Sequence, residues 1–208
     1  MKRGLFIVID GLGGSGKSTQ VEMLKKRLGI CAVVTHEPGG APRAEKIRDI
    51  LKSGEGKEPH PLTDFFLFWA ARAEHVNEKI IPALKRGKIV VCDRFDSSTL
   101  AMQVRGDKQK NLEKLFWQCR EHTLAACEPD IYIILDAHHS LAKKRRNIRG
   151  EGEDRFDERD SAYQARVSAG YREFAKRLGK KAFLVDARNP PGAVHASIVA
   201  IIERVMKK

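Results

Sequence analysis

The chain has 208 residues, 42% hydrophobic and 32% charged, a balance that excludes both a disordered chain and a membrane protein. The length suits one domain, residues 1–208, with a substantial core, and no apolar run approaches the roughly 18 residues a bilayer crossing needs. Thirty-nine Lys and Arg against 27 Asp and Glu leave a net charge of +12, which calls for an anionic partner: nucleotide phosphates, nucleic acid or an acidic surface.

In chain order, Met1-Lys2-Arg3-Gly4 runs directly into an apolar strand without a small-residue cleavage site. That argues against a secretory signal and makes the cytoplasm the expected compartment. The strand, Leu5 to Ile9, is followed by a glycine-rich loop and a helix from Lys17 to Leu28, which Gly29 closes. A second strand, Ala32 to Thr35, precedes a helix from Pro42 to Leu51, and a long helical pattern, Leu62 to Leu84, leads to a third strand at Ile89 to Cys92. The helical pattern Leu112 to Ala126 precedes the fourth strand, Ile131 to Leu135. Two further helices follow, Ser140 to Ile148 with Ser140 as its cap, and Glu158 to Leu178. The fifth strand is Ala182 to Val185, and Pro190-Pro191 opens the last helix, Ala193 to Val205.

Near-continuous, β-branched apolar runs are what strands buried on both faces show, as a parallel sheet requires. Their alternation with helices predicts an α/β sandwich of three layers, with ligands beyond the carboxyl ends of the strands. Between Arg149 and Arg155 the periodicity breaks amid charges of both signs, which reads as a mobile lid at about residues 145–157. Cys31, Cys92, Cys119 and Cys127 form no Cys-x-x-Cys pair, and packing explains Cys119, His122 and Cys127 better than zinc does.

Directly after the first strand stands Gly11-Leu12-Gly13-Gly14-Ser15-Gly16-Lys17-Ser18-Thr19, a full match to G-x-x-x-x-G-K-[ST] in its strand-to-helix context. Glycines let backbone N–H groups curl around an anion, and the helix N-terminus adds its positive end. Lys17 then reaches the β- and γ-phosphates of ATP, and the Ser18 hydroxyl is placed to ligate Mg²⁺. Gly11, Gly13 and Gly16 also fit the dinucleotide pattern G-x-G-x-x-G, with Glu37 where a ribose-binding acid would stand. Lys17-Ser18 favours the triphosphate, because a dinucleotide-binding helix packs small or apolar residues there. An acid at a strand end should help order the metal. Asp93 and Asp136 both qualify; Asp93 is preferred because Arg94 follows it, while Asp136 is expected to serve the turn before Ser140.

Four segments in order complete the pattern: the glycine loop; Thr35-His36-Glu37-Pro38-Gly39-Gly40 with Arg48 beyond it; Phe68-Trp-Ala-Ala-Arg72; and Asp93-Arg94-Phe95-Asp96-Ser97-Ser98-Thr99 running on to Gln103. Over essentially the full length the chain resembles the bacterial thymidylate (dTMP) kinases of the nucleoside monophosphate kinase group. The resemblance implies a P-loop kinase fold with a five-stranded parallel sheet and helical lid, and transfer from MgATP to dTMP in dTTP biosynthesis. It further implies a homodimer with no nucleic-acid or membrane partner, in keeping with the absence of aromatics interleaved in the basic cluster Lys143 to Arg149.

By the same resemblance Phe68 and Arg72, spaced i, i+4 on one helix, stack on the thymine and bond its O4, where an isolated pair would read as a core Phe beside a surface Arg. Arg48 and Arg94 hold the acceptor phosphate, Ser98, Thr99 and Gln103 line the base pocket, and Glu37 stands near the acceptor phosphate and metal. Arg145 stacks on adenine. Arg149, and after it Arg155, supplies the catalytic cation that the glycine loop lacks, with Lys17, Asp93 and Arg94 completing the catalytic set. Lys143, Lys144 and Arg146 read as solvated charges. Gly13 stands where the family usually carries an acid, His36 where it carries an arginine, and Met102 where it carries a tyrosine. Other nucleoside monophosphate or deoxynucleoside kinases, and a non-catalytic nucleotide-binding P-loop protein, are the alternatives.

Overall fold

The computed structural model describes residues 3–53, 59–149 and 159–206, and for residues 148 and 149 the backbone alone. Arg155 and most of the expected lid lie outside them.

Five strands form one parallel sheet in the order β2-β3-β1-β4-β5: β1 (Phe6–Gly11), β2 (Ala32–His36), β3 (Ile89–Asp93), β4 (Ile131–Asp136) and β5 (Ala182–Asp186). The helices are α1 (Lys17–Leu28), α2 (Pro42–Lys52), α3 (Pro61–His75), α4 (Ile81–Lys85), α5 (Asp96–Thr99), α6 (Glu113–Leu124), α7 (His139–Arg149), α8 (Ser161–Leu178) and α9 (Pro191–Met206). Strand side chains alternate between faces. Phe6 and Val8 enter one core with residues of α3, α4, α6 and α8, whereas Ile7 and Ile9 enter the other with Val21 and Leu24 of α1 and Ile198 and Ile202 of α9. This is the three-layer sandwich expected. The strand order also separates the two glycine-loop readings, because a dinucleotide-binding sheet runs 3-2-1-4-5 whereas here β3 lies between β1 and β2.

Gly29 closes α1 with φ +55° and Pro191 opens α9, as their sequence signals indicate. Two local expectations need correction. Ser140 lies inside α7, and its backbone N–H donates to Nδ1 of His138, so His138 is the cap. Asp136 pairs with Arg172 of α8 at 2.9 Å instead of serving the turn. One element had no counterpart in the apolar pattern: α5 continues through a wider, π-type helix, Leu100–Gly106, so that residues 96–106 wind past the ends of the strands.

Candidate active site

β1 ends at Gly11 and α1 begins at Lys17, so the intervening loop turns at the carboxyl edge of the sheet. Gly14, at φ +78°, lies directly beneath α7: a Cβ there would sit 2.3 Å from the Ala142 carbonyl oxygen. Lys17 is buried, and its Nζ donates to the Gly11 and Leu12 carbonyls at 3.1 and 2.9 Å. Leu12 itself points into the core, so it offers the cradle only its backbone. The Ser15 hydroxyl is buried with no hydrogen-bond partner among the described residues. Beside the loop, Ser15, Gly16 and Thr19 share a pocket with Arg145, Ala187 and Asn189, and Arg145 is held at its edge by a 2.9 Å bond to the Ala187 carbonyl.

Ser18 Oγ donates to Asp93 Oδ2 at 3.4 Å, and Asp93 Oδ1 is buried without a partner among the described residues. A hydroxyl beside a carboxylate with an orphaned oxygen is a donor set for a hard divalent cation, so the two residues fit Mg²⁺.

Across the strand ends lies a second cleft, lined among others by Glu37, Phe68, Arg72, Arg94, Ser98 and Gln103. Arg72 is 1% exposed, sandwiched between the rings of Trp69 and Phe95 at 4.5 and 5.2 Å. Its Nε and Nη2 lie 2.8 Å from Glu37 Oε2, and Nη2 also donates to Thr99 Oγ1 at 3.1 Å. That leaves Arg72 Nη1 buried with no hydrogen-bond partner among the described residues, and Gln103 Nε2 is in the same condition. Arg72 and Gln103 both line the cleft, and buried donors of this kind call for a partner from a ligand or an ordered water.

Most expected acceptor residues therefore meet, with three adjustments. Thr99 stands behind Arg72 and holds it. Glu37 has both oxygens taken, Oε2 by Arg72 and Oε1 by His75 Nδ1 at 3.1 Å, so it anchors Arg72. Arg48 is not brought into the cleft: its Nη1 donates to the Pro38 carbonyl at 2.6 Å and contacts His36 Nδ1 at 3.1 Å. Met102 lines the cleft at the position noted for its departure from the family.

Three residues escaped the sequence reading. Asp10, fully buried, accepts from the hydroxyls of Ser97, Ser98 and Tyr171 at 2.6, 2.8 and 2.8 Å and from the Gly11 N–H at 2.8 Å. It lies 3.5 Å from Arg94 Nη1, and Arg94 takes the left-handed φ of +66°, uncommon outside glycine and recurrent at functional sites. Burial, reinforced by the Asp10 charge, pushes the Tyr171 phenol well above its ordinary range and keeps it a donor. His75 closes the circuit behind Glu37. Arg146 overturns its reading as a solvated charge: it is 8% exposed, and its Nη1 donates to the Gly13 carbonyl at 2.7 Å.

A Walker-type loop facing a second cleft, lined by an aromatic ring and arginines, across the ends of a 2-3-1-4-5 sheet defines a P-loop kinase of small phosphorylated substrates. The family model for thymidylate kinase matches residues 9–198. The thymidylate kinase of Caulobacter vibrioides is 38% identical over 97% of this chain and 97% of its own length, and that of Thermomicrobium roseum 40% identical over 98% and 96%. The crystal structure of thymidylate kinase from Ehrlichia chaffeensis superposes with a TM-score of 0.74 at 28% identity, covering 96% of this chain and 99% of that one. The chain belongs to the thymidylate kinase family, and it is a nucleoside monophosphate kinase.

Proposed function

We propose that the chain moves the γ-phosphoryl group of ATP onto the 5′-phosphate of dTMP, with the glycine loop as donor site and the Phe68/Arg72 cleft as acceptor site. The observation that carries the acceptor is the pair of orphaned donors, Arg72 Nη1 and Gln103 Nε2, on a cleft that also presents Phe68. A thymine ring offers carbonyl oxygens to such donors and a π-face to Phe68; cytosine replaces the 4-carbonyl by an amino group, which a guanidinium N–H repels.

The acceptor is already an anion, so no strong base is needed, and positioning with charge neutralisation carries the rate. Lys17 leaves the Gly11 and Leu12 carbonyls for the donor phosphates, and Arg94 meets the acceptor phosphate. Ser18 and Asp93 would hold Mg²⁺, which supplies charge neutralisation between the β- and γ-phosphates. Arg145 packs on the adenine beside Asn189, Arg149 is assigned the cation of transfer, and Arg155 supports it. Arg48 acts from a distance by holding the Glu37-Pro38-Gly39-Gly40 turn.

The reading includes a single domain, a cytoplasmic setting and a homodimer. Among the described residues no helix is long and apolar enough to cross a membrane. Ile50 on α2 and Leu62 and Phe66 on α3 expose apolar side chains on two helices packed together, a face a second copy would cover. The test is kcat/KM over dTMP, dUMP, UMP and dCMP in a coupled ADP-release assay. A moderate preference for dTMP over dUMP is expected, since one methyl group in a pocket is worth about 1–3 kcal/mol. Equal or better use of UMP or dCMP overturns the assignment.

A further inference from the structure

His75 is the last residue of α3, one helical turn beyond Arg72, and it is fully buried. Its Nδ1 lies 3.1 Å from Glu37 Oε1 and its Nε2 2.7 Å from Thr35 Oγ1. The Glu37 carboxylate, paired with Arg72, only accepts, so the proton of this bond sits on Nδ1, and Nε2 shares a hydrogen bond with the Thr35 hydroxyl. Gly40 packs closely against the ring, since a Cβ there would stand 2.4 Å from Nε2.

This clamp matters because the terminal torsion of a glutamate is broad, and bonds to one oxygen do not fix the carboxylate plane. Arg72 reaches only Oε2; among the described residues the second oxygen is held by His75 alone. With the plane fixed, Arg72 must use Nε and Nη2 for Glu37 and present Nη1 to the cleft. With it free, the carboxylate can turn, and only the Thr99 bond to Nη2 and the two flanking rings still restrain which nitrogen Arg72 spends on Glu37 and which it shows the ligand. We propose that His75 is a positioning residue that sets which pyrimidine the cleft accepts, acting through Glu37 on the donor Arg72 presents. The inference rests on the reading that Arg72 meets the base.

The experiment is steady-state kinetics on the full chain with dTMP and dCMP for His75→Leu, His75→Asn, Arg72→Gln and the double variant Arg72→Gln/His75→Leu, with thermal melting of each. Leucine keeps volume and loses the donor; asparagine keeps an N–H near the place of Nδ1. His75→Leu should lower the dTMP-to-dCMP ratio of kcat/KM by about tenfold, the value of one directed hydrogen bond. The KM for ATP should stay within about twofold, and His75→Asn should recover most of the ratio. In the Arg72→Gln background His75→Leu should change the ratio no further, since a residue acting only through Arg72 has nothing left to act on. If Arg72→Gln shifts the ratio but His75→Leu leaves it unchanged, the inference is overturned and the base-recognition reading stands. If Arg72→Gln itself leaves the ratio unchanged, both fall. Should His75→Leu fail to fold, Thr35→Val, which removes the bond to Nε2, must still move the ratio in the same direction; an unchanged ratio there refutes the clamp.

Discussion

Replacing Asp10 by Asn removes a single charge and tests how the strand end is held. Five donors converge on that carboxylate: the hydroxyls of Ser97, Ser98 and Tyr171 and the backbone N–H groups of Gly11 and Phe95. Arg94 Nη1 stands 3.5 Å away as the counter-charge. An amide keeps one acceptor oxygen but turns N–H groups toward the donors that faced the other. The hydroxyls can rotate to accept, but the backbone N–H groups cannot. Removing one partner of a buried ion pair costs about 3–5 kcal/mol. Arg94 keeps 20% of its side chain exposed, and the three hydroxyls can adapt, so the low end, about 3 kcal/mol, applies. For a chain of this size that lowers Tm by roughly 6–12 °C. Urea unfolding, read by tryptophan fluorescence from Trp69 and Trp117, measures the loss directly, and Tyr171→Phe, which deletes one bond to a charged acceptor, should cost about half as much. A loss below about 1 kcal/mol for Asp10→Asn would show that the cluster does not depend on the charge.

Other outcomes follow from the same geometry. Phe68→Ala should raise the KM for dTMP by roughly 5- to 150-fold, the range for one aromatic stacked on a base, with the KM for ATP unchanged; equal effects on both substrates would remove Phe68 from the acceptor cleft. Arg146→Met should weaken ATP while sparing dTMP, because the guanidinium bonds the Gly13 carbonyl of the glycine loop; isothermal titration with a non-hydrolysable ATP analogue reads this. On the far side of α8, the hydrogen bond from Arg105 holds the Glu173 carboxyl below its ordinary value. A depressed acid stabilises the fold at neutral pH and loses that contribution as pH falls through its folded value. Arg105→Met should therefore flatten the acid limb of stability as pH falls below the ordinary glutamate value of 4.5; an unaltered limb in urea titrations there would exclude the pair as a contributor.

The sheet and the glycine loop were legible because their signals are consecutive in sequence. LFIVI followed by Gly-x-x-x-x-Gly-Lys-Ser needs nothing from elsewhere in the chain to be read. The α3 pair was legible only beside the other motifs, since Phe68 and Arg72 one turn apart would by themselves read as a core Phe and a surface Arg. What sequence hid depends on distant partners. Glu37 and Arg72 are 35 residues apart, and nothing near Glu37 announces that both its oxygens are spoken for. Residues 96–106 carry Asp-Ser-Ser-Thr, which in isolation favour caps and turns, and only burial against β1 and α8 makes them helical. Two signals were available. Asp10 ends an apolar strand where an unpaired charge is intolerable, which by itself demands partners. Arg146 lies i, i+4 from Ala142 on the face of α7 that meets the loop, so its burial followed from helical spacing once Ala142 was placed in the core.

The two sites share an atom. The Gly11 carbonyl oxygen accepts from Lys17 Nζ and from Arg94 Nη1, each at 3.1 Å, so the cation assigned to the donor phosphates and the cation assigned to the acceptor phosphate meet on one oxygen of the β1 terminus. Two positive groups held so close repel each other, and the Asp10 carboxylate 3.5 Å from Arg94 offsets only part of that. Two phosphate anions brought to the same place would relieve that repulsion while having their own mutual repulsion relieved by it. Such a term grows only when both substrates are present. Arg94 is tied further to Tyr171 on α8 at 3.2 Å, and α8 is the first element after the segment that holds Arg155. The acceptor cleft is thereby joined to α8 through a hydroxyl that also rests on Asp10. Phosphoryl transfer without a chemical base depends on such placement, since the rate is set by where the cations stand when the two anions meet.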